Sequence, residues 1–166
     1  MSLYSCDHYT DIRIADLRDY GMNTDLMYSD ITERIIGSAF KVHSFLGNGF
    51  QEVIYQRALA LEMESSGLNY EREKSQPIYY RDIPFAMGSR RADFIVEDKV
   101  LVEIKAVIEL EEVHVSQVLN YLKAYQIEVG LLVNFGSKSM TFRRLVSQRE
   151  SVKSINPKNQ RFRPIC

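Results

Sequence analysis

The chain has 166 residues, of which 45% are apolar and 26% are charged, the composition of an ordinary globular protein. Its formal net charge of −1 lacks the excess of Lys and Arg that marks many nucleic-acid binders, although acids clustered at one site offset basic residues elsewhere in such a total. No apolar run approaches the roughly 18 residues that cross a bilayer, and no signal-peptide pattern opens the chain. The two cysteines, Cys6 and Cys166, lie at opposite ends, which argues against a disulfide framework and predicts a reducing, cytoplasmic setting.

The two ends of the chain differ in character from its middle. Residues 1–27 mix polar and aromatic side chains without a sustained period, and we interpret them as an N-terminal extension that is either poorly structured or introduced by cloning. After Leu145 the chain carries five basic residues against the single acid Glu150, so residues 147–166 form a basic C-terminal tail. This tail is either a solvated terminus or an arm that contacts phosphate groups.

The folded part is predicted to begin with two helices. The first starts at Asp30, where Asp30-Ile31-Thr32-Glu33 has capping-box spacing, and apolar residues follow at helical intervals up to the break at residues 47–49. The second runs from about residue 50 to residue 66 and ends at Gly67. Apolar residues cover most of its circumference, which predicts packing on more than one side: Val53, Ile54, Ala58 and Leu61.

Strands dominate the middle of the chain, and a third helix follows them. The predicted strands before that helix cover roughly residues 69–73, 77–81, 91–96 and 100–107. The helix covers residues 111–126, with an apolar face formed by Val115, Val118, Leu119 and Leu122. Two strands, residues 129–134 and 140–146, complete the order. We therefore predict an α/β fold in one domain over residues 28–146, with a central mixed β-sheet flanked by helices.

Three charged residues interrupt the apolar hairpin between Arg91 and Lys105: Asp93, Glu103 and Lys105. Charges inside a buried strand are costly unless they are paired or bind a metal. If residues 97–99 form a three-residue turn, Val96 faces Val100 and Asp93 lies directly opposite Glu103, with Cβ atoms roughly 4.5–5.5 Å apart. Strand alternation then divides the hairpin into two faces, one with Asp93, Ile95, Leu101, Glu103 and Lys105, the other with Ala92, Phe94, Val96, Val102 and Ile104.

Two carboxylates at that distance repel each other unless a proton or a cation lies between them. Mg²⁺ is a natural occupant, because it prefers oxygen ligands and keeps water molecules for chemistry. Lys105 would project beside such a water and offset charge on a phosphate. The simpler alternative is a solvated sheet face, because a Glu-x-Lys triplet occurs by chance about once in a chain of this length.

Polar residues on the helices add context to this hairpin. Glu52 lies in the first turn of the second helix, where an acid is more often a cap than a ligand. Gln117 and Tyr121 are four positions apart on the third helix, with His114 one turn earlier, and they form either a surface edge or a ridge that faces nucleic acid. His43 is interpreted as a structural histidine.

These residues together resemble a known nuclease signature. Asp93 followed by Glu103-Ile104-Lys105 is similar to the motif of the PD-(D/E)XK nuclease superfamily, with Ala92 in place of the proline in the name. The element order from Phe50 to Asn134 is similar to the αβββαβ core of that restriction-endonuclease-like fold. More narrowly, the stretch from Gly49 to Tyr55 resembles the GxxExxY protein family.

The resemblance implies a role for each matching residue. Asp93 and Glu103 match the metal-ligating acids, and the backbone carbonyl of Ile104 would be a further ligand. Glu52 matches the first acidic position, which assists metal binding or orients the site, and Lys105 matches the catalytic lysine. The accessory motif near the substrate corresponds to Gln117 and Tyr121.

The sequence thus favours a metal-dependent (deoxyribo)nuclease that uses Mg²⁺ or Mn²⁺ and acts on nucleic acid, with DNA as the expected substrate. A homodimer is a further expectation, because one small site cuts one strand at a time. Two alternatives stay open. One is a catalytically silent nucleic-acid-binding or assembly module with the nuclease fold, and the other is a structural domain whose charged hairpin meets water or another subunit.

Overall fold

A computed structural model describes residues 27–147, whose helices and strands alternate as an α/β chain. In chain order the elements are α1 (Ser29–Leu46), α2 (Glu52–Ser65), β1 (Tyr70–Ile78), β2 (Gly88–Val96), β3 (Val100–Lys105), α3 (Glu112–Tyr125), β4 (Val129–Asn134) and β5 (Thr141–Val146). The predictions for residues 1–26 and for residues 148–166, which include nearly all of the basic tail, lie outside the described residues. Within residues 27–147, no helix is long and apolar enough to cross a membrane.

The five strands form one mixed sheet in the order β1-β2-β3-β4-β5. β1–β2, β2–β3 and β4–β5 are antiparallel pairs, whereas β3 and β4 are parallel and are joined through α3. A parallel pair needs a crossover connection, and a helix usually supplies it. β3 is therefore a central strand with a neighbour on each side, and the predicted mixed sheet with flanking helices is confirmed.

Two apolar clusters pack on the two faces of this sheet. The larger cluster joins α1 and α2 to the sheet and includes Ile35, Leu59, Phe94 and Val102. The smaller cluster lies beneath α3 and includes Ile95, Leu101 and Val118 among its buried members. Because consecutive side chains of a strand point to opposite faces, β3 contributes to both clusters. Asp93, Glu103 and Lys105 belong to neither cluster.

Two predictions about the helices are wrong. Tyr28, with a left-handed φ of 61°, is the N-cap of α1, and Asp30 lies inside the first turn, so the capping box does not form. Among residues 27–147, α2 packs on one side only: its buried residues include Tyr55, Leu59 and Met63, whereas Val53, Ile54 and Leu61 are exposed. Its described packing partners, α1 and the sheet, both lie on the inner side.

The two strands predicted at residues 69–73 and 77–81 are one strand, β1. Its irregular position is Glu73, whose φ of 50° interrupts the pairing with β2 between Arg72↔Phe94 and Lys74↔Ala92. Pro77 is tolerated because β1 is an edge strand and can lack one donor. The polar sequence around Glu73 therefore marks a kink and not a strand end.

Candidate active site

The hairpin of β2 and β3 has the predicted register. Val96 pairs with Val100 and Phe94 with Val102, around a turn in which Glu97 and Asp98 have φ values of 52° and 56°. The main-chain pairing ends at Phe94↔Val102. Asp93 therefore lies one step beyond the last paired residues, level with Glu103 on the neighbouring strand.

At Asp93 the regular alternation of side chains between the two faces of the sheet is broken. Its Oδ2 accepts a 2.7 Å hydrogen bond from the backbone N–H of Ile104, and its Oδ1 accepts a 3.0 Å bond from Nε2 of Gln56 on α2. The prediction that Ala92 shares a face with Phe94 is wrong, because Ala92 belongs to the cluster under α3. The backbone N–H of Ala92 bonds the hydroxyl of Tyr125 on α3, 3.2 Å away, so the helix contacts fix this residue.

Glu103 is the most deeply buried charged residue in the described part of the chain, with 4% of its surface exposed. Its Oε1 accepts two hydrogen bonds of 2.8 Å, one from Nζ of Lys105 and one from Nε2 of Gln117 on α3. Its Oε2 is buried and has no hydrogen-bond partner among the described residues. One carboxylate oxygen is thus held by the protein, while the other remains available to a ligand.

Burial and mutual repulsion control the protonation of this pair. Burial, followed by the charge of Asp93, raises the pKa of Glu103 to about 7, against the opposing effect of Lys105. Burial also raises the pKa of Asp93, although the Ile104 N–H and Lys105 favour its charged form. For Lys105, burial lowers the pKa, but the hydrogen bond and charge of Glu103 outweigh it and the pKa is raised. Lys105 is therefore an ammonium ion at neutral pH.

α2 brings a third acid and an amide to the same end of the sheet. Glu52, in its first turn, accepts a 3.3 Å hydrogen bond from the backbone N–H of Ala106, directly after Lys105. Its charge contributes to the raised pKa values of Asp93 and Glu103. Gln56, one turn further along α2, bonds Asp93, and Arg72 on β1 donates a 2.9 Å bond to its Oε1. Gln56 was not predicted from the sequence, where it carries no local signal beyond its spacing of four from Glu52.

α3 brings Gln117 to Glu103, and Gln117 also donates a 3.1 Å hydrogen bond to the hydroxyl of Tyr121. His114 does not join this network: its Nδ1 accepts a 2.9 Å hydrogen bond from the backbone N–H of Glu111 and caps α3. His43 bonds the carbonyl oxygen of Ser137, at 3.1 Å, as a structural histidine would.

A clamp behind Lys105 is a second feature that was not predicted from the sequence. Asn134, fully buried at the end of β4, accepts 3.0 Å hydrogen bonds from the backbone N–H groups of Val107 and Gly136. Gly136 lies so close to this segment that a Cβ there would be 2.3 Å from the nitrogen of Val107. The clamp fixes the segment that follows Lys105, and its only signal in the sequence is an Asn that ends an apolar strand shortly before a Gly.

The donor set suits a hard divalent cation. Carboxylate oxygens are the ligands that such ions prefer. Oε2 of Glu103 has no hydrogen-bond partner among the described residues, and the pKa values of Asp93 and Glu103 are both raised. A bound cation would give that oxygen a partner and reduce the repulsion between the two acids. Within residues 27–147, no group of three or more His, Cys, Asp or Glu side chains is close enough to hold a metal by itself.

Similarity to known proteins points in the same direction as the geometry. The family model described as the PD-(D/E)XK nuclease superfamily matches residues 29–145, which is more than half of the chain. No curated protein shows significant similarity to the chain.

Among solved structures, the crystal structure of SSO0001 is similar at 20% identity with a TM-score of 0.48; the match covers 72% of this chain and 58% of that one, so the chain spans less than two thirds of SSO0001. The alkaline exonuclease LHK-Exo from Laribacter hongkongensis is similar at 12% identity with a TM-score of 0.34, covering 70% of this chain and 82% of the exonuclease. The sheet, the crossover helix and the family match agree with a restriction-endonuclease-like fold. The chain belongs to the PD-(D/E)XK nuclease superfamily.

Proposed function

We propose that this protein is a Mg²⁺-dependent nuclease that hydrolyses phosphodiester bonds in DNA. The observation that carries the proposal is the environment of Glu103, which is buried beside Asp93 with one oxygen held by Lys105 and Gln117 and the other free of hydrogen bonds to the described residues. A buried carboxylate with a raised pKa, a specific charge partner and a free oxygen is typical of a functional site.

In this proposal Asp93 and Glu103 hold the cation, Mg²⁺ or Mn²⁺, with the backbone carbonyl of Ile104 as a further ligand. Glu52 does not complete a close group of three acids with them, and its carboxylate assists metal binding from the first turn of α2. When bound, such an ion supplies Lewis acidity, which makes water a better nucleophile and offsets the charge of the phosphate. Gln117 keeps Glu103 in position, and Gln117 and Tyr121 contact the substrate. His114, which caps α3, was predicted to contact the substrate as well, and its contacts in the structure lend that role no support.

Lys105 acts in this proposal as a positive charge and not as a base. Its raised pKa keeps the ammonium protonated at neutral pH, so Nζ can orient the attacking water or offset the charge that develops on phosphate oxygens. Its 2.8 Å bond to Glu103 holds it at the metal-binding residues.

The test is cleavage of single- and double-stranded DNA and RNA with Mg²⁺ or Mn²⁺. We expect DNA to be cut, and Glu103→Gln and Lys105→Ala to lower the rate by about 100-fold or more, as removal of electrostatic stabilisation in a water-excluded site does. Lys138→Ala, at an exposed lysine, is the matched control and should cut like the wild type. If both site variants cut as fast as this control, the catalytic proposal is wrong.

One observation favours a second candidate, a nucleic-acid-binding or assembly module that does not cleave. Three of the four carboxylate oxygens of Asp93 and Glu103 already accept hydrogen bonds within the chain. Calorimetry with Mn²⁺ and with DNA separates the two proposals. A nuclease binds the ion, and this binding requires both Asp93 and Glu103. The module binds DNA without metal, and its DNA binding persists when Asp93 and Glu103 are replaced. A homodimer remains a proposal that sedimentation analysis of the full chain tests.

A further inference from the structure

The loop between β1 and β2, residues 79–87, has a surface that the proposed chemistry does not use. All nine residues are exposed, and five of them are large and apolar: Tyr79, Tyr80, Ile83, Phe85 and Met87. The three aromatic rings expose 60%, 56% and 64% of their surface, respectively, for Tyr79, Tyr80 and Phe85. Such a concentration of exposed rings in one loop marks an interaction site.

The loop lies at the end of the sheet that carries the candidate active site. β2 runs antiparallel to β3, so the residues of β2 before Asp93 extend in the direction in which β3 reaches Lys105. From Asp93 to Gly88 the strand spans about 17 Å at roughly 3.3 Å per residue. The loop therefore projects beyond the carboxylates of Asp93 and Glu103, and a few nucleotides of DNA would span the distance between them.

Contacts to α3 join the base of the loop to the proposed substrate edge. The guanidinium of Arg90 lies over the ring of Tyr121, 6.0 Å from its centroid, and its Nη1 donates a 3.1 Å bond to the carbonyl oxygen of Asn120. Tyr121 in turn bonds Gln117, which bonds Glu103. A chain of side-chain contacts therefore connects the base of the loop to Glu103.

The charge of this segment is complementary to phosphate. From Arg81 to Arg91 the chain has three arginines and the single acid Asp82, although the whole chain is slightly acidic. Arg91 is ion-paired with Glu73 on β1, which leaves Arg81 and Arg90 as the cations that can contact phosphate. Arg81 lies 5.0 Å from the ring centroid of Tyr80, so a cation and an aromatic face are presented together. Basic side chains interleaved with exposed aromatic rings are the composition of surfaces that bind single strands, where rings stack on bases and cations contact the backbone.

We infer that the loop of residues 79–87 stacks on unpaired bases and guides a single-stranded DNA segment to the carboxylates of Asp93 and Glu103. Duplex DNA offers no exposed base faces along its length, so rings in this position gain their stacking energy from a single strand. The inference rests on the proposed function for the destination of the strand. Its test measures binding and does not require cleavage.

The chain contains no tryptophan, so Tyr80→Trp introduces a single fluorescent reporter in the full-length protein. The variant is titrated in EDTA with oligothymidine of about 16 nucleotides, the upper range of sites for one single-strand-binding domain, and separately with a blunt duplex of the same length. We expect the oligothymidine to quench the emission and the duplex to leave it nearly unchanged. Phe45→Trp is the matched control, because Phe45 is 89% exposed on α1, on the other face of the sheet.

A second measurement removes the stacking surface. Phe85→Ala should weaken binding of the oligothymidine by roughly 5- to 150-fold, the range for loss of one stacked ring, and Phe85→Tyr should restore it. Three results would overturn the inference: equal quenching by the duplex, equal quenching of Phe45→Trp, or a change of emission with protein concentration alone, which would assign the loop to contacts between copies.

These results are independent of the nuclease test. Quenching without cleavage keeps the loop as a single-strand site and removes the proposed chemistry. Cleavage that Glu103→Gln abolishes, without quenching, keeps the chemistry and removes the role of the loop.

Discussion

The backbone N–H of Ile104 donates a 2.7 Å hydrogen bond to Oδ2 of Asp93 at the point where main-chain pairing between β2 and β3 ends. A side-chain oxygen thus replaces the main-chain carbonyl that would accept this hydrogen bond in a regular sheet. Ile104, which donates the bond, is only 1% exposed. Asp93 completes the hydrogen bonding of the central strand, and in the proposed function it has a second, separable role as a source of negative charge for the metal ion.

Substitutions at Asp93 should separate these roles. Asp93→Asn keeps an oxygen for the Ile104 N–H but turns its NH₂ group towards Nε2 of Gln56. We expect it to lower the free energy of unfolding by about 1 kcal/mol, the net contribution of one hydrogen bond. Asp93→Ala leaves a buried donor without its partner and should cost about 1–3 kcal/mol. Urea unfolding in EDTA measures both. Equal stability of the two variants would show that the hydrogen bond is not structural.

The raised pKa of Glu103 predicts a pH-dependent stability. Between its ordinary value of 4.5 and about 7, the folded chain keeps a proton on Glu103 that the unfolded chain has lost. The free energy of unfolding should therefore fall as the pH rises through this window, by roughly 3 kcal/mol at about 1.4 kcal/mol per pH unit. The raised pKa of Asp93 acts in the same direction.

Urea unfolding of the metal-free chain at intervals from pH 4.5 to 8 checks this prediction. Glu103→Gln, which cannot ionise, should flatten most of the slope, while Glu112→Gln at an exposed acid should leave it unchanged. A wild-type stability that increases with pH over this range would contradict the prediction.

Gln117 is expected to tune Glu103 from α3. Its Nε2 donates to Oε1 of Glu103, and a hydrogen bond to the ionised form lowers the pKa of a carboxyl group. Gln117→Ala should therefore raise the apparent acidic pKa of the pH–rate profile and lower the cleavage rate at pH 7 by about 10-fold. Tyr121→Phe removes only the hydroxyl that bonds Gln117 and should shift the profile less. An unshifted profile in Gln117→Ala would place Gln117 in substrate binding alone.

Two glycine substitutions should change the stability of the chain in opposite directions, and one of them lies in the clamp behind Lys105. At Gly136 a Cβ would be 2.3–2.5 Å from backbone atoms of Ala106 and Val107, so Gly136→Ala should destabilise the chain by about 1–3 kcal/mol and slow cleavage by shifting Lys105. At Gly37, inside α1, an added Cβ would meet no heavy atom within 4 Å, and Gly37→Ala should stabilise the chain by about 0.5–1 kcal/mol. Thermal unfolding with parallel cleavage assays tests both.

Local patterns predicted much of the fold because they are strong where the chain is most regular. The apolar run of β4 and the helical spacing of α3 place both elements to within about one residue, and the three-residue turn gives the register of β2 with β3. The exposed apolar side of α2 could not be predicted, because periodicity shows which residues are apolar and not which sides find a partner. The kink at Glu73 was missed for a related reason, since a polar kink and a strand end look alike in sequence.

The candidate site was predictable where its residues lie on one hairpin and not where it depends on packing. Glu103 and Lys105 follow from strand alternation, and the three-residue turn places Asp93 level with Glu103. Glu52 and Gln117 follow from the family resemblance. The hydrogen bond of Gln56 to Asp93 and the position of Ala92 under α3 could not be predicted, because both depend on helices that are distant in sequence. Gln56 and Asp93, for example, are 37 positions apart. Asn134 resembles the end of a strand until its two backbone partners are known.

The difference in sequence separation has a kinetic consequence. Asp93 is hydrogen-bonded to Ile104 across 11 positions and Gln117 to Glu103 across 14, whereas Gln56 reaches Asp93 across 37 positions and needs α2 to have packed on the sheet. Short loops close at low entropic cost, so the acids meet early in folding while water still surrounds them. We expect that water to be lost when the helices pack, on the native side of the transition state. We therefore expect Glu103→Gln to slow unfolding and to leave the refolding rate nearly unchanged.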